Sequence, residues 1–424
     1  MSISARVLSS LGLLAGLGLG IVACTAPSDS AAKDEEITSN DGVPLEMSFT
    51  AQVTTTADDT PRRAIATQLQ YVIGALTSAE QANAQAHMPA LSNITEVVSG
   101  DKKTISYDAA LTVIWQKGRA VPTTYGLTLP KDVTRLAEFN AKYDGTCGTN
   151  EYGAETFWHD FNPNAASCKL DNADLLRVKT SVKSHPLNGK DKYPEYDQIW
   201  ADDTLDMVAV YGIISANTPD DQGAVTREML IRNVSSTLSN VVRTENPIAG
   251  SVIHDSSVSG TIVIAGKKRK VNLTAMLVQE VSSAGPAFNS RWSELTAKAD
   301  YITYEGHSGL GKNINALARN TGVTAGKYQL VYFYGCQTLS YLEPTMHEKR
   351  IALNGAALDP DGTKYLDIIA TALPAYGDDA RSATAVYEAL LDTRAPKTFN
   401  DLLKTVSPLH LAVVFGEHDN TFKP

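Results

Sequence analysis

From Leu205 onward the chain alternates short, uninterrupted apolar runs with segments of helical spacing, and few architectures accommodate that pattern. A strand covered on one face only shows apolar residues at every second position; a strand covered on both faces is apolar throughout. Strands of the second kind are predicted at Met207–Ile214, Val271–Val278, Tyr301–Tyr304, Gln329–Tyr334 and Leu411–Phe415. Helices are predicted at Ala224–Leu238, Ser290–Lys298, Tyr365–Leu373, Thr384–Leu391 and Phe399–Val406. Thr261–Ala265 and the basic run Lys267–Lys270 add a hairpin ahead of the second strand. The expectation for residues 205–424 is an α/β domain: an open, mostly parallel sheet with helices on both faces. In such sheets the working residues gather at the carboxyl ends of the strands.

Residues 46–193 have a different texture. An alternating strand over 46–55 precedes a helical pattern at Arg62–Leu76, and strands follow at Thr104–Trp115 and Thr123–Leu129. Pro130 opens a helix to Tyr143, its missing N–H costing nothing in a first turn. Leu175–Lys183 alternates again, and Pro194–Thr204 reads as a connector. This predicts a small α+β sandwich domain without chemistry of its own. Its Phe157-Trp158-His159 cluster reads as loop packing rather than a docking surface.

Ahead of both, residues 1–23 carry one positive charge, Arg6, and an apolar run ending Ile21-Val22-Ala23-Cys24. The run is too short and Gly-rich for a membrane span and has the layout of an export signal. Its end resembles the bacterial lipobox, which implies a lipoprotein diacylated on Cys24, anchored in the cell envelope and, with Thr25 following, in the outer membrane. Residues 24–45 are polar and aperiodic, hence a flexible tether. Contact with the membrane is then through lipid alone. The net charge of −10 argues against nucleic acid as a partner, because phosphate binding needs clustered Lys and Arg.

Export makes the four cysteines informative, since disulfides persist outside the cytoplasm. Cys147 and Cys168 bracket an aperiodic, turn-rich loop that a disulfide would close. A metal site built on His159 and Asp160 lacks a second His at ligand spacing, so no metal is expected. No dinucleotide or Walker signature calls for a cofactor either: Gly309-Leu310-Gly311 lacks the third glycine and the lysine. Cys336 remains unpaired, and its setting is distinctive.

One strand runs from Asp300 to Gly306 into His307-Ser308-Gly309-Leu310-Gly311; another runs from Tyr328 to Gly335 into Cys336-Gln337-Thr338. The intervening chain holds one crossover with a helix at Ile314–Arg319, so the two strands are expected to be parallel neighbours. His307 and Cys336 would then emerge side by side. A free thiol is mostly protonated at neutral pH, and a nearby imidazole turns it into a nucleophile. Gly309 and Gly311 let backbone N–H groups face an oxyanion.

An apolar strand ending in His plus small residues, followed by an apolar strand ending in small-Cys, resembles the caspase-like cysteine peptidases, the gingipain-like branch most of all. The resemblance covers 205–424 loosely and 300–338 at the level of a motif. It implies a caspase-like sheet and peptide hydrolysis through a thioester, with a peptide or protein as substrate or partner. His307 would be the general acid and base, Cys336 the nucleophile. The oxyanion would be met by the Cys336 N–H and the amide just after the histidine. The family usually has Gly there, whereas this chain has Ser308, leaving Ser308 and Gly309 as alternative donors. Two other readings stand beside it. A catalytically inactive relative would act as a protein-binding module. A serine esterase would use Ser308 with Asp367 or Asp392 and His410 or His418, but Leu310 is too bulky for the fifth position of a nucleophile elbow. Asp359-Pro360-Asp361-Gly362 misses calcium-loop spacing and reads as a turn; Glu417–Asn420 would either border the site edge or form a polar terminus.

Overall fold

The computed structural model describes residues 37–186, 189–248, 250–375, 377 and 380–424; the signal segment, Cys24 and residues 24–36 lie outside them. In chain order the strands are β1 (Ile37–Ser39), β2 (Gly42–Thr56), β3 (Asn83–Ala84), β4 (Ala90–Ser99), β5 (Lys102–Gln116), β6 (Thr124–Pro130), β7 (Leu175–Ser184), β8 (Thr204–Gly212), β9 (Ser239–Glu245), β10 (Val252–Ile264), β11 (Lys267–Val278), β12 (Tyr301–Glu305), β13 (Gln329–Tyr334), β14 (Leu366–Thr371) and β15 (Ala412–Phe415). The helices are α1 (Pro61–Leu69), α2 (Tyr71–Glu80), α3 (Leu136–Tyr143), α4 (Phe157–Asp160), α5 (Tyr196–Ile199), α6 (Gln222–Thr237), α7 (Gly285–Thr296), α8 (Lys312–Asn320), α9 (Thr345–Asn354), α10 (Arg381–Leu391) and α11 (Phe399–Leu403). None is long and apolar enough to cross a membrane among the described residues.

The larger sheet has the order β1-β15-β14-β13-β12-β8-β11-β10-β9. Its core is the parallel run β14-β13-β12-β8-β11, as the apolar pattern predicts. The flanks are antiparallel, so the sheet is mixed rather than mostly parallel. On one side the cause is local. Ala265 and Gly266 form a two-residue turn with φ of 52° and 82°, and that geometry matches the twist of a hairpin and forces β10 against β11. The helix expected at Tyr365–Leu373 is instead β14, buried at every position between β13 and β15. Periodicity cannot separate a short buried strand from a buried helix; pairing on both sides decides it. The tether also ends early, because Ile37–Ser39 adds to the sheet edge beside β15 and β2 begins at Gly42.

Helices cover both faces of this sheet. Leu230, Ile231 and Val234 of α6 pack with α10 and α11 on one face; Trp292 of α7 and Ile314 and Leu317 of α8 pack on the other. That second face is shared with the N-terminal half, through Tyr71, Phe139, Phe157 and Trp158. The smaller sheet is a curled antiparallel half-barrel, β3-β5-β2-β7-β6 with β4 beside β5, and α1 and α2 fill its concave side through Leu69, Val72 and Leu76. Cys147 and Cys168 are joined in a disulfide, closing the loop that contains α4.

Candidate active site

A cavity of about 660 Å³ opens where the parallel strands end. Each contributes the residues just past its carboxyl end: Ile213–Ser215 after β8, Gln279 and Glu280 after β11, His307–Leu310 after β12, Cys336 and Gln337 after β13, and Pro374 after β14. The chain lays β11 on one side of β8 and β12 on the other. The cavity therefore sits at the point where winding reverses, the position at which open α/β sheets leave a crevice.

β12 and β13 are parallel neighbours with Glu305 opposite Tyr334. The next residues, Gly306-His307 and Gly335-Cys336, leave the sheet at one level and face one cavity. The approach is close. A Cβ at Gly335 would lie 2.5 Å from the Gly306 carbonyl oxygen, so only glycine permits it.

The exposed His307 places Nε2 at 2.9 Å from the Ile214 carbonyl oxygen. A carbonyl only accepts, so this contact assigns the proton of the neutral ring to Nε2 and leaves Nδ1 as the basic nitrogen. The carbonyl is itself held in place. The N–H groups of Ile214, Ser215 and Ala216 donate to the Asp221 carboxylate at 3.1, 2.8 and 3.2 Å, and Gly223 N–H donates at 2.9 Å. Burial pushes the Asp221 carboxyl up, but these N–H groups outweigh it and hold it below the usual carboxylate range.

Behind the ring, the His307 carbonyl accepts from the Tyr304 hydroxyl at 2.6 Å and from Asn313 Nδ2 at 2.8 Å. Burial pushes the Tyr304 phenol well above its ordinary value, which keeps it a donor. In a trans peptide the next N–H points opposite the carbonyl, so Ser308 N–H is turned away from that clamp. Among the described residues neither the Ser308 nor the Gly309 N–H meets an acceptor. Gly311 N–H, by contrast, is spent on the Ser308 carbonyl at 3.1 Å, so the sequence expectation for that glycine fails.

Cys336 is a free, half-buried thiol, with Sγ 3.9 Å from the Ala375 carbonyl oxygen. Burial pushes its pKa up, so the resting sulfur is a thiol rather than a thiolate. Ser308 is 3 % exposed, with its hydroxyl turned to Tyr341. The acids and histidines of the esterase reading are dispersed: Asp367 faces Tyr328 and Asn420, and His410 lies 3.2 Å from the Tyr334 hydroxyl. Glu417–Asn420 follow β15, which runs antiparallel to β14, and so lie at the opposite edge of the sheet.

One rim escaped the sequence reading. Tyr152, Thr156 and His159 of the disulfide-closed loop line the same cavity. His159 Nε2 lies 2.9 Å from Gln337 Oε1, and its Nδ1 lies 3.0 Å from Asp160 Oδ1. Phe157 and Trp158 point into the core, as loop packing requires. Alternation and helical spacing carry no signal for such a contact; it exists because the loop folds back across more than a hundred residues. The Asp221 cap, in contrast, is a helix-start signal visible beside Gln222. Among the described residues no group of three or more His, Cys, Asp or Glu is arranged to hold a metal ion. No protein-family model and no curated protein matches this chain, so the site has to be read from its own geometry.

Proposed function

We propose that this protein is a cysteine hydrolase, a peptidase using Cys336 and His307, and that it works from a lipid anchor on Cys24 in the bacterial cell envelope. The observation that carries the reading is the shared exit of β12 and β13 into one cavity, with His307 Nε2 occupied by a carbonyl and Nδ1 without a hydrogen-bond partner among the described residues. On substrate binding His307 Nδ1 takes the Cys336 proton as sulfur attacks the peptide carbonyl carbon. The oxyanion is met by backbone N–H groups, Ser308 or Gly309 together with Cys336. The carbon–nitrogen bond then breaks, the leaving amine takes the proton from His307, and a thioester remains. Water attacks the thioester with His307 as base, releasing the acid and returning the proton to sulfur. The disulfide suits an oxidising compartment, in line with export.

A second reading is favoured by one observation: burial raises the Cys336 thiol, with no charged partner among the causes. A binding module that has lost catalysis would carry such a sulfur. One experiment separates the two. Mature protein is offered mixtures of internally quenched peptides covering every residue type at the cleaved position, alongside Cys336→Ala and His307→Ala. Cleavage that disappears in both variants supports the peptidase; retention of bound peptide with no cleavage in any mixture supports the binding module and overturns the peptidase.

A further inference from the structure

Gln337 follows the proposed nucleophile directly, with φ of 53° and ψ of 35°. That left-handed conformation is uncommon outside glycine and asparagine, and persists where surrounding contacts over-determine it. Here they do. The Gln337 side chain is 1 % exposed and is held from three directions. Its Nε2 donates to Thr77 Oγ1 of α2 at 2.8 Å. Its Oε1 lies 2.9 Å from His159 Nε2 of α4 and accepts from the Tyr341 hydroxyl at 3.3 Å. Two of these partners belong to the N-terminal half. His159 is in turn braced by Asp160 inside the loop that Cys147–Cys168 closes.

We infer that Gln337 is a positioning residue, a strut through which the N-terminal half holds the Cys336 turn in its working conformation. The inference rests on the peptidase reading for its catalytic consequence, but not for the mechanical one. Without the strut, Gln337 relaxes toward an ordinary backbone conformation and the Gly335–Gln337 turn rearranges with it, carrying the Cys336 N–H and Sγ out of line with His307. The N-terminal half is then part of the site rather than an appendage.

The test pairs an isosteric loss with an isosteric rescue. Gln337→Met keeps length and removes every hydrogen bond; Gln337→Glu keeps acceptors for His159, Tyr341 and the Thr77 hydroxyl. Peptide cleavage is expected to lose about tenfold in kcat in Gln337→Met with KM within twofold, and to stay within threefold of wild type in Gln337→Glu. His159→Ala should reproduce the loss, and the double variant His159→Ala/Gln337→Met should be no worse than either alone. A Gln337→Met enzyme within twofold of wild type, or single losses that multiply in the double variant, overturns the strut. Amide hydrogen exchange over Gly335–Leu339 gives a readout independent of catalysis. Each single loss variant should exchange at least tenfold faster there, even if no peptide is ever cleaved; unchanged exchange overturns the strut while leaving the peptidase reading intact.

Discussion

The two edges of the larger sheet are built from the same strands and end differently. At the carboxyl edge the strands run out into Gly306 and Gly335, the Ser308 and Gly309 N–H groups meet no acceptor among the described residues, and a cavity of about 660 Å³ remains. At the amino ends of β12, β13 and β14 the side chains are instead bonded to one another, which plugs that edge there. Asp300 bonds to Lys327 and takes the Asp206 N–H at 2.8 Å, while Asp367 takes the Tyr328 hydroxyl and Asn420 Nδ2. The more strongly perturbed acids are at the plugged edge: burial pushes Asp300 up to about 7, despite Lys327, and Asp367 up to about 8. A shifted titratable group is therefore a poor guide to a site in this fold. What separates the two ends of β12–β14 is an opening, together with donors that meet no acceptor among the described residues around it.

That comparison breaks most visibly if the edges are swapped in function. His307→Ala and Cys336→Ala should each lower peptide cleavage by about 10³–10⁴-fold with little change in melting temperature. Asp367→Ala should do the reverse, leaving activity per folded molecule intact. It strands the buried Tyr328 hydroxyl, leaves the half-buried Asn420 amide with the Tyr193 carbonyl alone, and should destabilise by about 3 kcal/mol in urea titrations. An Asp367→Ala protein that melts like wild type but does not cleave would put the chemistry at the wrong edge.

The plugged edge also has a pH signature. A carboxyl whose folded pKa is raised holds a proton that the unfolded chain releases, so the native state binds more protons between the two values. Stability should fall as pH rises from about 4 to about 8, by up to about 1.4 kcal/mol per unit for a fully shifted group, and level off above. Asp367→Asn keeps an acceptor for Tyr328 and cannot ionise, so its stability should decline less steeply over that window. Urea midpoints at pH 5, 6.5 and 8 would show it; parallel slopes for the two proteins would mean that Asp367 is ionised in the fold.

How much of this was legible beforehand follows from which interactions are local. Gln329–Tyr334 was read with the bounds it has, and the neighbouring exits of His307 and Cys336 followed from one helical crossover between apolar runs. The hairpin at the basic run is there, but the run is not its turn: Ala265-Gly266 make the turn and Lys267–Lys270 are the first residues of β11, because a two-residue turn is a local device that leaves the charges on the strand. The helical expectation fails at β14 because Leu366–Thr371 is short and carries Leu, Ile and Ala where either period can use them, so only pairing with its neighbours decides. The loss of parallel order at β15, and with it the position of Glu417–Asn420, depends on the path of a connection rather than on any residue pattern. His159 and Gln337 are the extreme case. Neither has a sequence signal for the other, and their contact depends on two sheets being docked.

The smallest effect tests the most specific feature of the open edge. Asp221 touches neither His307 nor the cavity; it gathers the Ile214–Ala216 amides, and so orients the carbonyl that holds the ring. It is also the N-cap of α6, so Asp221→Ala should cost about 1–2 kcal/mol of stability whatever the chemistry. The distinguishing reading is catalytic. Releasing the Ile214 carbonyl lets the imidazole rotate, and kcat should fall about tenfold with KM little changed, because the loss is in alignment and not in binding. Asp221→Asn keeps one of the two acceptor oxygens and should fall between. If Asp221→Ala loses its cap stability but turns over like wild type, His307 is held by something other than this carbonyl. The open edge would then be less organised than its unspent donors suggest, and the contrast with the plugged edge would rest on the cavity alone.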